Sequence, residues 1–155
     1  MMSMYDLIDA VRDFLDKDDW KYEYQQEKNV IRSGITLKCK LQSVKLFLIF
    51  NETGYTVIAT APLNADESSR PNVMEYLTRA NYGLRNGNFE MDVDDGEVRY
   101  KSYVNVKGMD TISSEVIQDS IMLPVVMMDR YGDGIAALMF GFSDPVTEIK
   151  KVENR

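Results

Sequence analysis

The fold follows from the stretch between Val44 and Ala61, which reads VKLFLIF-NETG-YTVIATA. Val44 to Phe50 is apolar on both faces apart from Lys45, which predicts a central β-strand. Asn51 to Gly54 supplies the residues of a tight turn, and Tyr55 to Ala61 returns as a second strand. Parallel strands need a long crossover between them, so strands joined this closely are predicted to be antiparallel.

Two more strands and a helix are predicted upstream of this pair. A period of two from residue 30 onwards puts one set of side chains on a single strand face: Ile35, Leu37, Cys39 and Leu41. Trp20 to Gln25 alternates aromatic and polar residues, as a half-exposed strand does. Ser3 followed by Asp6 predicts a helix N-cap. One face of that helix then carries Met4, Leu7, Ile8, Val11 and Leu15.

A second helix and a hairpin are predicted downstream. Ser68 or Ser69 is expected to cap the helix, which runs through Leu84 and ends at Asn86-Gly87. In the hairpin, Asp95-Gly96 is typical of a two-residue turn. The resulting register sets two ion pairs across the strands, Asp92 with Arg99 and Glu90 with Lys101, and turns three apolar residues to the core, Phe89, Met91 and Val93.

The last predicted helix begins near Ser113 and bends at Pro124. Gly132 and Gly134 are expected to break it before the apolar stretch from Ile135 to Phe142. The sequence therefore predicts an α+β fold in which an antiparallel meander and a hairpin pack against helices. The expected order is helix–strands–helix–hairpin–helix, within a single domain of residues 1–155.

Composition narrows the classes of function. The 18 basic and 25 acidic residues give a net charge of −7, which repels phosphate backbones and argues against nucleic-acid binding. No apolar run approaches the length of a membrane span. The first nine residues lack the basic and apolar regions of a signal peptide, so a cytoplasmic location is expected.

The chain lacks several residue types on which enzyme catalysis commonly depends. The chain contains no histidine, which removes the commonest general base and all histidine metal ligands. Cys39 is the only cysteine and is expected to be a buried core thiol, so no metal or cofactor is expected. A calcium loop starting at Asp129 fits at Asp133 and Gly134, but Phe140 stands where a bidentate glutamate is required. That segment is better interpreted as a turn.

The run from Ile121 to Met128 is more apolar than one core-facing stripe requires. Helical spacing puts Ile121, Val125 and Met128 on one stripe, which Ile117 extends and which is the better core candidate. The remaining apolar residues are either sandwiched inside the protein or exposed to a partner. The candidate partner-binding residues are Met122, Val126 and Met127.

The stretch from Asn81 to Tyr100 resembles the signature region of the bacterial YbjN-like proteins, which are labelled sensory transduction regulators. The resemblance lies in an Asn late in the second helix, a Gly cap, a Phe-Glu-x-Asp strand, an acidic Gly turn and an Arg-Tyr return strand. The order of elements is also similar to that of type III secretion chaperones. The resemblance implies a chaperone-like α+β fold, a homodimer and binding to extended segments of client proteins. It implies no catalytic residues.

The leading hypothesis is a non-enzymatic interaction module, chaperone-like or regulatory, that forms a homodimer and binds an unidentified protein client. One alternative is a small-molecule sensor whose pocket is lined by aromatic side chains, namely Tyr22, Tyr24, Phe47 or Tyr55. A hydrolase that uses only carboxylates is the weakest alternative, because scattered acidic residues define no site.

Overall fold

The computed structural model describes residues 1–154, and its centre is one antiparallel sheet. Within those residues the strands are β1 (Tyr22–Gln25), β2 (Val30–Thr36), β3 (Ser43–Asn51), β4 (Gly54–Thr60), β5 (Asn88–Met91) and β6 (Val98–Asn105). They lie in the order β1-β2-β3-β4-β6-β5, and each neighbouring pair is antiparallel. The predicted α+β class and the antiparallel meander are confirmed.

The helices lie on one face of this sheet. Their bounds are α1 (Met4–Lys17), α2 (Arg70–Asn81), α3 (Ser114–Met139) and α4 (Pro145–Glu153). The long helix α3 packs against β3, β4 and β6, while α1 covers β3 and α2 covers β5. Alternate residues of β3 are buried beneath them, namely Val44, Leu46, Leu48 and Phe50. The sheet therefore buries one face in the core and leaves the other without a helix.

Helix α1 follows its predicted pattern closely. Ser3 accepts from the Asp6 backbone N–H, and the Asp6 carboxylate accepts from the Ser3 N–H, which completes a capping box. All five residues of the predicted apolar face are buried: Met4, Leu7, Ile8, Val11 and Leu15. Capping and periodicity are local properties, so the sequence alone predicts this helix well.

Helix α2 ends at Asn81, earlier than predicted, because Asn81 binds an edge strand. Its side-chain amide donates to the Phe89 carbonyl at 2.9 Å and accepts from the Phe89 N–H at 2.7 Å. This pair of bonds imitates a neighbouring strand and ties the helix end to β5. Asp66, rather than the Ser68 or Ser69 hydroxyl, accepts from the backbone at the start of the helix.

The hairpin exists, but its predicted register is wrong by two residues on one strand. Met91 pairs with Val98, and Glu90 pairs with Arg99. The connection from Asp92 to Glu97 is closed by a bond from the Asp92 N–H to the Glu97 carbonyl. Asp92 therefore does not face Arg99, and Val93 is 58% exposed instead of facing the core.

Helix α3 does not break at Gly132 or Gly134, contrary to the prediction from sequence. It continues from Ser114 to Met139 through both glycines. A β-carbon at Gly132 would overlap the Cys39 thiol, and one at Gly134 would overlap the Tyr76 hydroxyl. Close approach to neighbouring elements, and not a turn, therefore explains these glycines. The following helix α4 was not predicted.

Strand β2 ends at Thr36, so the predicted continuation through Leu41 is wrong. Residues 37–42 form a loop closed by the Leu37 N–H donating to the Gln42 carbonyl. Helix α3 holds this loop: Asp129 accepts from the Lys38 and Cys39 N–H groups at 2.9 Å, and Asp133 accepts from the Lys40 N–H at 2.8 Å. These two carboxylates, the ligands that a calcium loop would need, cap backbone groups instead.

Candidate functional site

The side of the sheet opposite the helices is the first candidate site, and we call its outward-facing side chains the open face. Its central row follows the strand register from Arg32 to Phe47, Ile58 and Lys101. The adjacent row contributes Ile49 and Tyr103, which are 39% and 42% exposed. An apolar strip thus crosses the central strands: Ile49 and Tyr103 reach solvent and Phe47 does so in part, whereas Ile58 is only 6% exposed.

Basic side chains frame this strip. Arg32, Lys45, Arg99 and Lys101 project from the open-face positions of β2, β3 and β6, against Glu23 and Glu90 from the edge strands. The Arg32 guanidinium lies over the Phe47 ring at 5.7 Å. Four bases against two acids make the open-face strand positions more basic than the chain as a whole, whose net charge is −7.

The bases on the β6 side are internally paired, whereas those on the β2–β3 side are not. Glu90 contacts Arg99 at 2.5 Å and Lys101 at 3.1 Å. Partial burial opposes ionisation of Glu90, but these hydrogen bonds prevail and lower its pKa. Within residues 1–154, neither Arg32 nor Lys45 has a carboxylate within ion-pair distance. Their charge is available to another molecule.

The outer side of α3 is the second candidate. Ile121, Val125 and Met128 are buried, which confirms the predicted core stripe. The proposed partner-binding residues are divided: Val126 is 52% exposed, Met122 is partly exposed, and Met127 is 8% exposed and belongs to the core. Leu123, beside them on the helix, is also partly exposed.

The aromatic residues considered for a sensory pocket do not converge. Tyr24 pairs with Ile31 on the helix side of the sheet, whereas Phe47 lies on the open face. Tyr55 is completely buried, and its hydroxyl bonds that of Ser120 at 2.6 Å. Burial also raises the pKa of Tyr55. Tyr55 belongs to the core and Phe47 to the surface, so these side chains do not line one cavity.

A cleft near the end of α3 was missed by sequence reasoning. It encloses about 520 Å³, and its walls include Lys40, Phe140, Phe142 and Glu148. The buried Glu148 carboxylate accepts from the Ser143 hydroxyl at 2.6 Å and contacts Lys151 at 3.0 Å. Sequence reasoning missed the cleft because it joins a loop to the unpredicted α4.

Groups that could support chemistry are engaged elsewhere. Desolvation raises the pKa of the half-buried Cys39 thiol, which disfavours the reactive thiolate. In residues 1–154 no three Cys, Asp or Glu side chains are grouped in a way that could hold a metal ion. Nor does any helix of that part have the length and apolar character needed to cross a membrane.

The fold and its surfaces define an α+β protein whose sheet is covered by helices on one face and bare on the other. A family model described as "YbjN: Putative bacterial sensory transduction regulator" matches residues 7–137. The chain belongs to this YbjN family, in agreement with the Asn81–Tyr100 signature. A comparison with curated proteins gives no match.

Proposed function

We propose that the chain is a non-enzymatic regulatory module that binds another protein through the open face. One observation carries the proposal: a partly exposed apolar strip on the bare sheet is bordered by Arg32 and Lys45, which have no ion-pair partner within residues 1–154. The YbjN family description, a regulator, is compatible with such a role.

The composition of the open face supports contact with protein. Binding energy at interfaces is concentrated in aromatic residues and arginine, and the strip offers Phe47, Tyr103 and Arg32. A sheet face is also rigid, so a partner loses little affinity to ordering of the strands. The side chains around Phe47 are already held by Arg32 and by the neighbouring strands.

The charge pattern supports an acidic partner. An acidic segment would neutralise the free cations of Arg32 and Lys45, while the remaining acidic surface would repel it from other sites. We therefore expect an acidic stretch with apolar side chains, lying across β2 and β3. Charges at the border of an interface, such as Arg32 and Lys45, act mainly on association rate and specificity. Because salt screens them, binding should weaken at high salt.

The test uses the full chain in its native cell, with photo-crosslinking groups at Ile49 and Tyr103 and, as a control, at Val93. All three positions are exposed, but Val93 lies away from the open face. A partner captured from the first two positions and not from the third supports the proposal. Its crosslinked peptide should be acidic.

Charge reversal then tests the contact quantitatively. Arg32→Glu with Lys45→Glu should weaken binding to the identified segment at least tenfold. The control Lys38→Glu with Lys150→Glu alters the net charge equally at exposed positions outside the open face. Equal loss in the two double variants would show that net charge alone matters, and unchanged binding in the first would refute the assignment to the open face.

The proposal also includes a homodimer formed through the outer side of α3. Its support is the partly exposed apolar group Met122, Leu123 and Val126 on a surface helix. This contact lies on the helix layer and leaves the open face free. Self-association and partner binding can therefore occur together.

A further inference from the structure

The exposed side of α3 carries a pattern that specifies how two copies would pair. With about 100° per residue, Asp119, Leu123, Val126 and Arg130 all fall within about 60° of one another around the helix. Their spacing of four, three and four residues is that of a coiled-coil seam. We call these four residues the seam. Its centre is apolar, one end is acidic, and the other end is basic.

This order of residues is self-complementary in only one direction. In an antiparallel pair about a two-fold axis, Leu123 faces Val126 of the second copy, and Asp119 faces its Arg130. In a parallel pair, Asp119 would face Asp119 and Arg130 would face Arg130. Like charges directly opposite one another are unfavourable, so the charges select the antiparallel arrangement.

Both charged residues are available for such a contact. Asp119 and Arg130 are exposed, and neither forms an ion pair within residues 1–154. The Arg130 guanidinium lies 5.4 Å from the Tyr131 ring centre, which restrains the side chain near the helix. Each charge would lie about 8 Å along the axis from the middle of the seam.

The contact should be short. One turn beyond the seam, Glu115 of one copy would approach Asp133 of the other, and both are acidic and exposed. The helices must therefore diverge there, and the contact is limited to about three turns. Stable interfaces use about 20–30 residues from each partner, so a contact of this size predicts weak, concentration-dependent association.

We propose that two copies of this chain associate through an antiparallel α3 seam in which Asp119 pairs with Arg130 across the two-fold axis. This assignment rests on the self-association within the proposed function, and it names the partner surface and its register. Each dimer contains the ion pair twice, so a single charge reversal converts two attractions into two repulsions.

A charge swap tests the register in the full-length protein. Molar mass is measured by sedimentation or light scattering over a concentration series for the wild type, Asp119→Arg, Arg130→Asp and the double variant. Each single variant should weaken the dimer about tenfold or more, and the double variant should restore it to within about threefold. Circular dichroism checks that every variant is folded.

The outcomes separate the register from the dimer itself. A wild type that remains monomeric at every concentration overturns the dimer and this register with it. A wild-type dimer whose single variants are unaffected, or whose double variant is not restored, overturns the register alone. Binding of a partner to the open face is measured separately and would survive either result.

A second measurement remains informative if a charge variant misfolds. In a Cys39→Ala background, Leu123→Cys and Val126→Cys proteins are mixed and oxidised. The antiparallel seam predicts disulfides between the two variants in excess of those formed within either one. An excess within the Val126→Cys protein alone would overturn the proposed register.

Discussion

Gly132 and Gly134 show how one missing side chain can set the distance between elements. Both lie inside α3, where glycine costs about 1 kcal/mol of helix stability relative to alanine. Cys39 of the 37–42 loop approaches the first glycine, and Tyr76 of α2 approaches the second. The buried Tyr76 hydroxyl donates to the Tyr131 carbonyl at 3.0 Å, so its position is fixed.

Alanine at these two positions should therefore have different effects. Gly134→Ala forces the ring of Tyr76 to move and should lower the free energy of unfolding by about 2 kcal/mol, in the range for overpacked cores. Gly132→Ala meets a thiol that can rotate away, so the helix-propensity gain should nearly offset the clash. Urea unfolding of the two variants measures the difference. Equal losses would contradict this account of Tyr76.

Phe89 and Val93 provide a second contrast at the scale of residues. Phe89 is buried, with its ring 4.8 Å from that of Tyr100 and 5.1 Å from that of Tyr131, whereas Val93 is 58% exposed. Phe89→Ala should cost about 3–5 kcal/mol, and Val93→Ala less than about 0.5 kcal/mol. Denaturant unfolding checks both. A large loss from Val93→Ala would instead support the two-residue turn predicted from the sequence, in which Val93 faces the core.

At the scale of elements, the β5–β6 hairpin shows why strand register is difficult to obtain from sequence. Asp95-Gly96 favours a two-residue turn, yet the connection spans Asp92 to Glu97. A bond from the Ala65 N–H to the Gly96 carbonyl ties this connection to a distant loop. Tertiary contact therefore overrides the local turn preference.

The Glu90 ion pairs make the stability of this hairpin dependent on pH. The lowered pKa of Glu90 means that its ionised form stabilises the folded state. This contribution is complete above the ordinary carboxyl pKa of 4.5 and is lost as the pH falls through the lowered folded value. Glu90→Gln should be less stable than wild type by about 1 kcal/mol or less at neutral pH.

Urea unfolding between pH 7 and pH 3 provides the measurement. The difference between wild type and Glu90→Gln should shrink as the acid form of Glu90 becomes populated. Glu75→Gln is the matched control, because Glu75 pairs with Arg79 on the exposed side of α2 and should contribute only a few tenths of a kcal/mol. A difference for Glu90 that stays constant with pH would exclude an electrostatic origin.

The 37–42 loop is a second element whose conformation depends on distant residues. Asp129 accepts from two backbone N–H groups, those of Lys38 and Cys39, whereas Asp133 accepts from that of Lys40 alone. Asp129→Ala should therefore cost about 1–3 kcal/mol and Asp133→Ala about half as much. Hydrogen exchange should accelerate at Lys38 and Cys39 in the first variant only. Equal acceleration in both would contradict separate capping roles.

At the scale of the whole molecule, the two proposed contact surfaces point in opposite directions. The open face lies on the bare side of the sheet, while the seam of α3 lies on the solvent side of the helix layer. The core separates them, so substitutions at one should leave the other unchanged unless the fold itself is disturbed.

A direct comparison measures this independence. Val126→Glu should abolish the concentration dependence of molar mass and leave binding of the acidic partner segment within about twofold of wild type. Arg32→Glu with Lys45→Glu should do the reverse. Light scattering and calorimetric titration on the same samples provide the two readouts. Simultaneous loss of both activities in either variant would indicate that partner binding and dimerisation are coupled.

Features that depend on neighbouring residues could be predicted from the sequence alone. The capping box at Ser3, the apolar stripe of α1 and the β3–β4 pair follow from side-chain type and spacing within a few residues. The family resemblance likewise rests on a contiguous stretch, Asn81–Tyr100. The lack of histidine is a matter of composition, and it limits the available chemistry however the chain folds.

Tertiary packing was needed to establish which apolar residues are covered and where elements end. Met127 and Val126 are adjacent and equally apolar, yet one is buried and the other exposed, because the packing direction of α3 selects between them. The Asn81 bond to Phe89 and the Asp129 cap of the 37–42 loop join separate elements of the fold. The free energy of such contacts depends on which elements meet, and the local propensity of a residue carries no information about that.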